Sequence, residues 1–455
     1  MPDMPHALAR PLVVRQAASP LGGTIRVPGD KSISHRALMF AGLALGDTRI
    51  TGLLEGEDVL RTASAMRALG AVVTRQADES WHVAGRGIGQ LAEPEDVLDM
   101  GNSGTAARLL AGILASHPIV SVMTGDASLR GRPMRRVIDP LSLTGAVFTS
   151  RAGGRLPLCI AGSGEPKPVS YRLPVASAQV KSAILLAGLN TAGETLVEEP
   201  APTRDHSENM LRHFGAEVSV EPANAGNGRG RVIRLTGRPV LLGRDVSVPS
   251  DPSSAAFPMV AALLVPGSCI TIEAVGLNPL RTGLIATLIE MGGDIRVMNE
   301  RVEGGEPVGD LVVTASALTG VDVPADRAPS MIDEYPVLAV AAAFASGTTR
   351  MRGLEELRVK ESDRLTATVA LLTVNGVQVT VDGDDMIVTG SVAVPGGGRV
   401  ETKMDHRLAM SAVVLGLAAE KPVTIDDTSF IETSFPGFTT LMNRIGAGLA
   451  VESRV

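Results

Sequence analysis

The amino-acid sequence predicts an α/β protein built from six copies of a β-α-β-α-β-β unit, three in each of two domains. Three observations lead there. A polar-capped apolar helix recurs six times along the chain. Each helix is followed by a short β-branched strand, such as Thr271-Ile272 or Val423-Thr424-Ile425. A second amphipathic segment then ends at a glycine; Gly70, Gly145, Gly215, Gly292, Gly376 and Gly446 are spaced by 75, 70, 77, 84 and 70 residues. That period is longer than in solenoids, and a stack of six would need distinct capping repeats, so two compact domains are expected rather than a rod.

The first copy opens on Val27-Pro28-Gly29-Asp30-Lys31-Ser32-Ile33-Ser34-His35-Arg36, followed by an apolar run from Ala37 to Ala44. A strand signal, a Pro-Gly break and an Asp/Ser cluster mark a helix N-terminus, whose free N–H groups and dipole attract anions. Lys31 and Arg36 add two cations there. It is not a Walker-type loop, because Asp30 separates Gly29 from Lys31. The second copy begins at Asn102-Ser103-Gly104-Thr105 and the third at Ser177-Ala178-Gln179-Val180-Lys181-Ser182. The fourth runs from Asp251 through Leu264, the fifth from Ser330 through Ala345 and the sixth from Asp405 through Ala419.

The natural division lies near Gly243 to Pro249, and Pro20-Leu21-Gly22-Gly23 marks a second crossing after a strand at Leu12 to Gln16. The expected domains are 25–246, and 1–24 with 247–455. Two hinge strands would suit closure of a cleft holding the active site.

With 455 residues, 44% of them hydrophobic, the chain can bury substantial cores. A net charge of −7 and 2% aromatic content argue against nucleic-acid binding, so any functional cations must be focused locally. The leader Met1 to Arg10 has no long apolar segment, and runs such as Val337 to Ala345 are too short to span a bilayer. A cytoplasmic protein without membrane contact is expected. Cys159 and Cys269 lie in strand-like apolar text and are expected to be buried, inert thiols. His35, His206 and His406 are far apart in sequence, and no metal site is expected.

Basic residues recur at matching places: Arg132 before Pro133, Arg204 before Asp205-His206, Lys360 and Arg364 around Glu361, and Arg407 after Asp405-His406. One helix terminus contributes only about 0.3–1 kcal/mol, up to ~2 when partly buried. Six termini facing one side, with these cations, would hold ligands bearing several negative charges.

Lys31-Ser32-Ile33-Ser34-His35-Arg36, Gly101-Asn102-Ser103-Gly104-Thr105, Arg132-Pro133-Met134, Ser177-Ala178-Gln179-Val180-Lys181-Ser182, Lys360-Glu361-Ser362-Asp363-Arg364 and Asp405-His406-Arg407 together resemble the 5-enolpyruvylshikimate-3-phosphate synthase family over nearly the whole chain. Met331 to Pro336 and Thr433 to Pro436 look like its second class.

The resemblance implies an inverse α/β barrel of two domains, the enolpyruvyl transferase fold, acting as a monomer without metal or organic cofactor. Its substrates would be shikimate 3-phosphate and phosphoenolpyruvate. Lys31, Arg132, Arg364 and Arg407 would hold phosphoenolpyruvate, with Gly104 and Gln179 lining that pocket. Ser32, Arg36, Ser177, Gln179, Arg204, Asp333 and Lys360 would hold shikimate 3-phosphate. The chain departs from the family pattern at Ala178, Glu356 and Thr433, and no contact is carried over there.

The chemistry accounts for the residue types. Phosphoenolpyruvate becomes electrophilic at C2 when its methylene carbon takes a proton, and the incoming hydroxyl must lose one, so an acid and a base are needed side by side. The resemblance assigns Glu361 to the methylene and Asp333 to the hydroxyl, with Lys31 assisting. It also makes Gly104 the position whose open space admits the inhibitor glyphosate. Three other readings are weighed. A transferase acting on UDP-N-acetylglucosamine typically uses a loop cysteine, and neither Cys159 nor Cys269 lies between Gly125 and Pro133. A non-catalytic anion binder would release no phosphate, and an extended scaffold would be rod-shaped.

Overall fold

The computed structural model describes residues 9–223 and 230–450, so the leader read from the sequence lies, through residue 8, outside the described residues. The chain forms two compact units. The central unit holds Gly29–Val248 and Val302–Glu306; the discontinuous unit holds Met1–Pro28, Pro249–Arg301 and Pro307–Val455. The crossings thus follow Pro28 and Val248, where 24 and 246 were expected.

The central unit carries helices α1 (Lys31–Leu43), α2 (Glu57–Ala68), α3 (Gly104–Ala115), α4 (Ala127–Gly131), α5 (Arg135–Ser142), α6 (Ala178–Gly188) and α7 (His206–Phe214). Its three four-stranded sheets share one plan. Their orders are Val246–Ser247, Asp47–Thr51, Trp81–Ala84, Val72–Arg75; then Leu98–Asp99, Val120–Thr124, Arg155–Ala161, Val147–Arg151; then Ser170–Arg172, Glu194–Glu199, Arg231–Thr236, Val218–Pro222. In each, the first pair is parallel and the other two are antiparallel.

The first helix of each copy is apolar nearly all round, and such a helix must sit inside with the sheets outside it. Residues Ile33 to Leu43 of α1, Ala106 to Ala115 of α3 and Val180 to Gly188 of α6 are buried without a break. Side chains cap the starts. Asp30 Oδ1 accepts from the Ile33 N–H at 2.9 Å, Ser103 Oγ from Ala106 at 3.2 Å and Ser177 Oγ from Val180 at 3.4 Å. Helices α3 and α6 approach so closely that a Cβ on Gly112 would lie 2.1 Å from the Ala183 carbonyl oxygen. Only glycine fits there.

The discontinuous unit carries α8 (Pro252–Leu264), α9 (Gly283–Glu290), α10 (Tyr335–Ala343), α11 (Arg364–Val374), α12 (His406–Ala418) and α13 (Phe438–Arg444), with α8, α10 and α12 packed on one another. Two of its sheets repeat the four-stranded plan: Gly22–Ile25, Cys269–Gly276, Glu306–Thr314, Asp294–Glu303; and Asp322–Val323, Thr348–Met351, Asp385–Thr389, Gln378–Asp382. The third has three strands, Arg399–Val400, Val423–Ile425 and Leu12–Val14.

The two crossing segments exchange places. Val246–Ser247 precedes the fourth copy in sequence yet pairs with Asp47–Thr51 of the first, while Gly22–Ile25 precedes the first and pairs with Cys269–Gly276 of the fourth. The sixth copy is closed by the amino-terminal strand, Leu12–Val14 running antiparallel to Val423–Ile425.

Two local expectations are corrected. The fifth helix begins at Tyr335, not Ser330, because Pro336 fits only the first helical turn; Ala325–Ser330 is a 3₁₀ turn and Asp333 lies before the helix. Cys269 is exposed and Cys159 half-buried; Cys269 opens its strand on the outward side of the alternation, whose inward positions are Ile270 and Ile272. Among the described residues no helix is long and apolar enough to cross a membrane.

Candidate active site

The central unit gathers its candidates around the starts of α1, α3 and α6. Lys31, the first residue of α1, is ion-paired with Asp58 of α2. Burial pushes the Asp58 carboxyl up, but Lys31 overcomes it and holds the group below the usual range. One turn on, His35 is buried with Nδ1 2.7 Å from Thr62 Oγ1, and burial lowers its pKa to about 3. It is a neutral imidazole.

Arg36 is buried too, with Nε donating to Ser207 Oγ and Nη2 to Ser182 Oγ, both at 2.8 Å, and Nη1 to the Ser32 carbonyl at 2.9 Å. Burial lowers its pKa to about 10, which leaves it charged. Arg204 is half-buried in the segment leading into α7. Ser177 spends its hydroxyl on the α6 cap.

Gly104 begins α3, and a Cβ there would lie 3.2 Å from Arg108 Nη1 and 3.3 Å from Arg132 Nη1. Arg108 Nη1 donates to Gln179 Oε1 at 2.5 Å, and Gln179 Nε2 donates to Thr105 Oγ1 at 3.1 Å. Arg132 Nη2 reaches Asn102 Oδ1 at 2.7 Å and Ser128 Oγ at 3.2 Å. Among the described residues neither arginine has a carboxylate in ion-pair contact, although the charge of Arg132 helps to hold the Asp58 carboxyl low. Burial and the neighbouring Arg136 and Arg132 lower the Arg108 pKa to about 10. Two guanidinium groups without a direct ion pair, beside a helix N-terminus, are a ready anion receptor.

The discontinuous unit gathers Asp333, Lys360, Glu361, Arg364 and Arg407 by a different logic. Arg364, the first residue of α11, is 1% exposed and surrounded by carboxylates. Its Nε lies 2.8 Å from Asp405 Oδ2, its Nη1 3.2 Å from Asp333 Oδ1 and its Nη2 2.5 Å from Glu361 Oε2. Lys360 Nζ is 3.4 Å from the same Asp333 oxygen and 3.9 Å from Glu356. Arg407 Nη1 donates to the Asp333 carbonyl at 3.1 Å and to Glu334 Oε1 at 3.2 Å.

Burial works against the charge on Arg364, but its carboxylates hold its pKa above the usual value. Burial likewise pushes Glu361 and Asp405 up, and Arg364 brings both below the carboxylate range. His406, between Asp405 and Arg407, is neutral, with burial and then Arg407 lowering its pKa to about 3. Lys403 and Met404 take left-handed backbone at φ 50° and 60°, a strained turn of the kind found where side chains are aimed. It delivers Asp405, whose N–H donates to the Thr402 carbonyl at 2.9 Å, onto Arg364.

Sequence reading missed Asp58, Arg108, Glu334 and Asp405. Arg108 left a signal, since it is the single charge in the otherwise apolar α3. Asp58 left none. Among the described residues no cluster of three or more His, Cys, Asp or Glu could hold a metal ion.

Known proteins share this fold. A solved EPSP synthase from Acinetobacter baumannii superposes with a TM-score of 0.89 at 44% identity, covering 98% of this chain and 100% of that one. The enolpyruvyl transferase NikO from Streptomyces tendae, at 18% identity and a TM-score of 0.74 over 97% of this chain and 98% of its own, shares the fold. The architecture is thus the two-domain inverse α/β barrel. Among curated proteins, the 3-phosphoshikimate 1-carboxyvinyltransferase of Acidiphilium cryptum is 70% identical over 98% of this chain and 99% of that protein. The enzyme of the same name from Gluconobacter oxydans is also 70% identical, over 97% and 99%. With the family profile matching residues 15–442 as well, the chain belongs to the EPSP synthase (3-phosphoshikimate 1-carboxyvinyltransferase) family.

Proposed function

We propose that the chain transfers the enolpyruvyl group of phosphoenolpyruvate to the 5-hydroxyl of shikimate 3-phosphate and releases phosphate. The observation that carries this reading is the pairing of chemistries: guanidinium groups at Arg108 and Arg132 with no ion-paired carboxylate among the described residues, and an Asp/Glu pair sharing one arginine at Asp333 and Glu361. The first suits binding of two phosphorylated, carboxylated substrates. The second suits two proton transfers. A monomer in the cytoplasm belongs to the same reading.

In the addition step the methylene carbon gains a proton, the 5-oxygen bonds to C2, and that oxygen loses its proton. In the elimination step the new methyl returns a proton and the C2–O bond to phosphate breaks, restoring the double bond. Asp333 takes the hydroxyl proton, with Lys31 assisting. Glu361 serves the methylene carbon. Because Arg364 holds Glu361 ionised at 2.5 Å, Glu361 becomes an acid when Arg364 Nη2 turns to a substrate anion. Substrate binding therefore loads the proton donor. Arg407 and Lys360 complete the anion contacts.

Phosphate release is the test. It should require both substrates, with none from either alone. Binding of both without release would indicate a non-catalytic anion binder, and release with UDP-N-acetylglucosamine as acceptor would indicate the related transferase.

A further inference from the structure

Lys181 stands near the start of the apolar α6 with no exposed side-chain surface. Its ammonium is 2.7 Å from Glu208 Oε1 and 3.2 Å from Glu199 Oε2, and it donates to the Thr203 carbonyl at 3.3 Å. Glu199, equally buried, accepts from the Thr203 N–H at 3.3 Å and hydroxyl at 2.7 Å. A buried trio of ionisable groups is a poor route to stability, since apolar side chains of similar volume serve as well. What the trio does supply is fixed direction.

The residues beside its tightest pair are those that hold Arg36. Ser182 follows Lys181, and Ser207 precedes Glu208. The two serine hydroxyls are joined at 2.7 Å, and each accepts from Arg36 at 2.8 Å. Thr203, gripped by both Lys181 and Glu199, precedes Arg204.

We infer that Lys181, Glu199 and Glu208 are positioning residues: one buried ammonium clamps α6, α7 and the segment between strand Glu194–Glu199 and α7, so that Arg36 and Arg204 meet the phosphorylated acceptor in a set geometry. The inference rests on the reading that these two arginines hold shikimate 3-phosphate. Charge runs the same way: burial pushes the Glu208 carboxyl up, Lys181 works against that, and the Glu208 carboxylate in turn counters the burial that weakens the cation at Arg36.

The test compares Glu208→Leu with Glu208→Gln. Leucine removes the acceptor while Lys181 keeps Glu199; glutamine keeps an oxygen for Lys181. Glu208→Leu should raise KM for shikimate 3-phosphate roughly tenfold or more, with kcat and KM for phosphoenolpyruvate within about twofold. Glu208→Gln should restore most of that loss. A second variant, Lys181→Met with Glu208→Leu, should show the same selective loss. Unchanged KM in the leucine variants overturns the inference, as does a common fall in every parameter and in Tm that glutamine does not rescue, or failure of both leucine variants to fold. Arg36→Gln separates the parent reading: if it too leaves KM for shikimate 3-phosphate unchanged, Arg36 does not hold that substrate, and the inference falls with the reading.

Discussion

Arg132 and Arg364 are both arginines taken from sequence as anion holders, yet their surroundings are opposite. In the central unit, Arg132 and its neighbour Arg108 hydrogen-bond, among the described residues, to the neutral oxygens of Asn102, Ser128 and Gln179. In the discontinuous unit, Arg364 meets the carboxylates of Asp333, Glu361 and Asp405. A guanidinium group without a carboxylate partner offers its charge to a ligand. One shared among three carboxylates fixes them in place, and Arg364 holds Glu361 and Asp405 below the usual carboxylate range. On the proposed reading, Arg132 and Arg108 serve binding alone, while Arg364 serves both binding and proton transfer, holding Glu361 until it turns to a substrate anion.

Glu361→Gln cuts hardest into that contrast. It keeps size and hydrogen bonding but removes the proton-transfer group, so turnover should fall by about 10²–10⁴ with KM for both substrates nearly kept. Steady-state kinetics check this, and a near-wild-type rate would reduce Glu361 to an ion-pair partner of Arg364.

The converse loss belongs to the central unit. Charged hydrogen bonds contribute about 1.5–3 kcal/mol, so Arg132→Leu should raise KM for phosphoenolpyruvate roughly 10- to 150-fold and lower kcat much less. Equal falls in kcat for both variants would erase the division between binding and proton transfer.

A smaller effect is expected at Gly104, where an added methyl would crowd the Arg108 and Arg132 guanidinium groups at 3.2 and 3.3 Å. Overpacking by one methyl typically costs about 1–3 kcal/mol, or roughly five- to 150-fold in affinity. Because glyphosate is longer than phosphoenolpyruvate, Gly104→Ala should weaken the inhibitor more than the substrate. The ratio of Ki for glyphosate to KM for phosphoenolpyruvate should rise; an equal or smaller ratio places Gly104 away from the inhibitor.

The least effect on catalysis comes from His35, which tests the central unit's charge through stability. Its folded pKa, lowered to about 3 by burial, lies below the unfolded 6.5. Between those values the unfolded chain binds the extra proton, so stability rises with pH through that window, by about 1.4 kcal/mol per unit, and is fully present above it. Urea midpoints at pH 5 and pH 7.5 should differ less in His35→Gln than in the wild type. An identical difference would mean that the imidazole titrates normally.

The repeat plan is legible in sequence because it is local: caps, apolar helices and terminal glycines recur at a steady spacing. What stayed illegible depends on partners distant in the chain. Asp333 is assigned to the hydroxyl from the resemblance alone; its contact with Arg364, 31 positions on, is visible only in the fold. Ser177 reads as a ligand contact, yet the local geometry also makes its hydroxyl the cap of α6. Lys181, quoted within a motif, carries its own sign in being a lone charge on an apolar helix, but Glu199 and Glu208 become visible only once the chain has turned back on itself. The exchange of Val246–Ser247 with Gly22–Ile25 is hidden for the same reason, since both are short strands whose pairing is set by topology.

The closure of the last sheet by the first strand has a consequence for biogenesis. Leu12 pairs with Ile425, so this strand must wait for its partner while the whole intervening chain is made. At about 5–20 residues per second the wait is roughly 20–80 s. Throughout it Leu12–Val14 has an open backbone edge, while the central unit, apart from the hairpin tip Val302–Glu306, is complete once Val248 emerges. The strand Leu12–Val14 is therefore made before the central unit and paired after it.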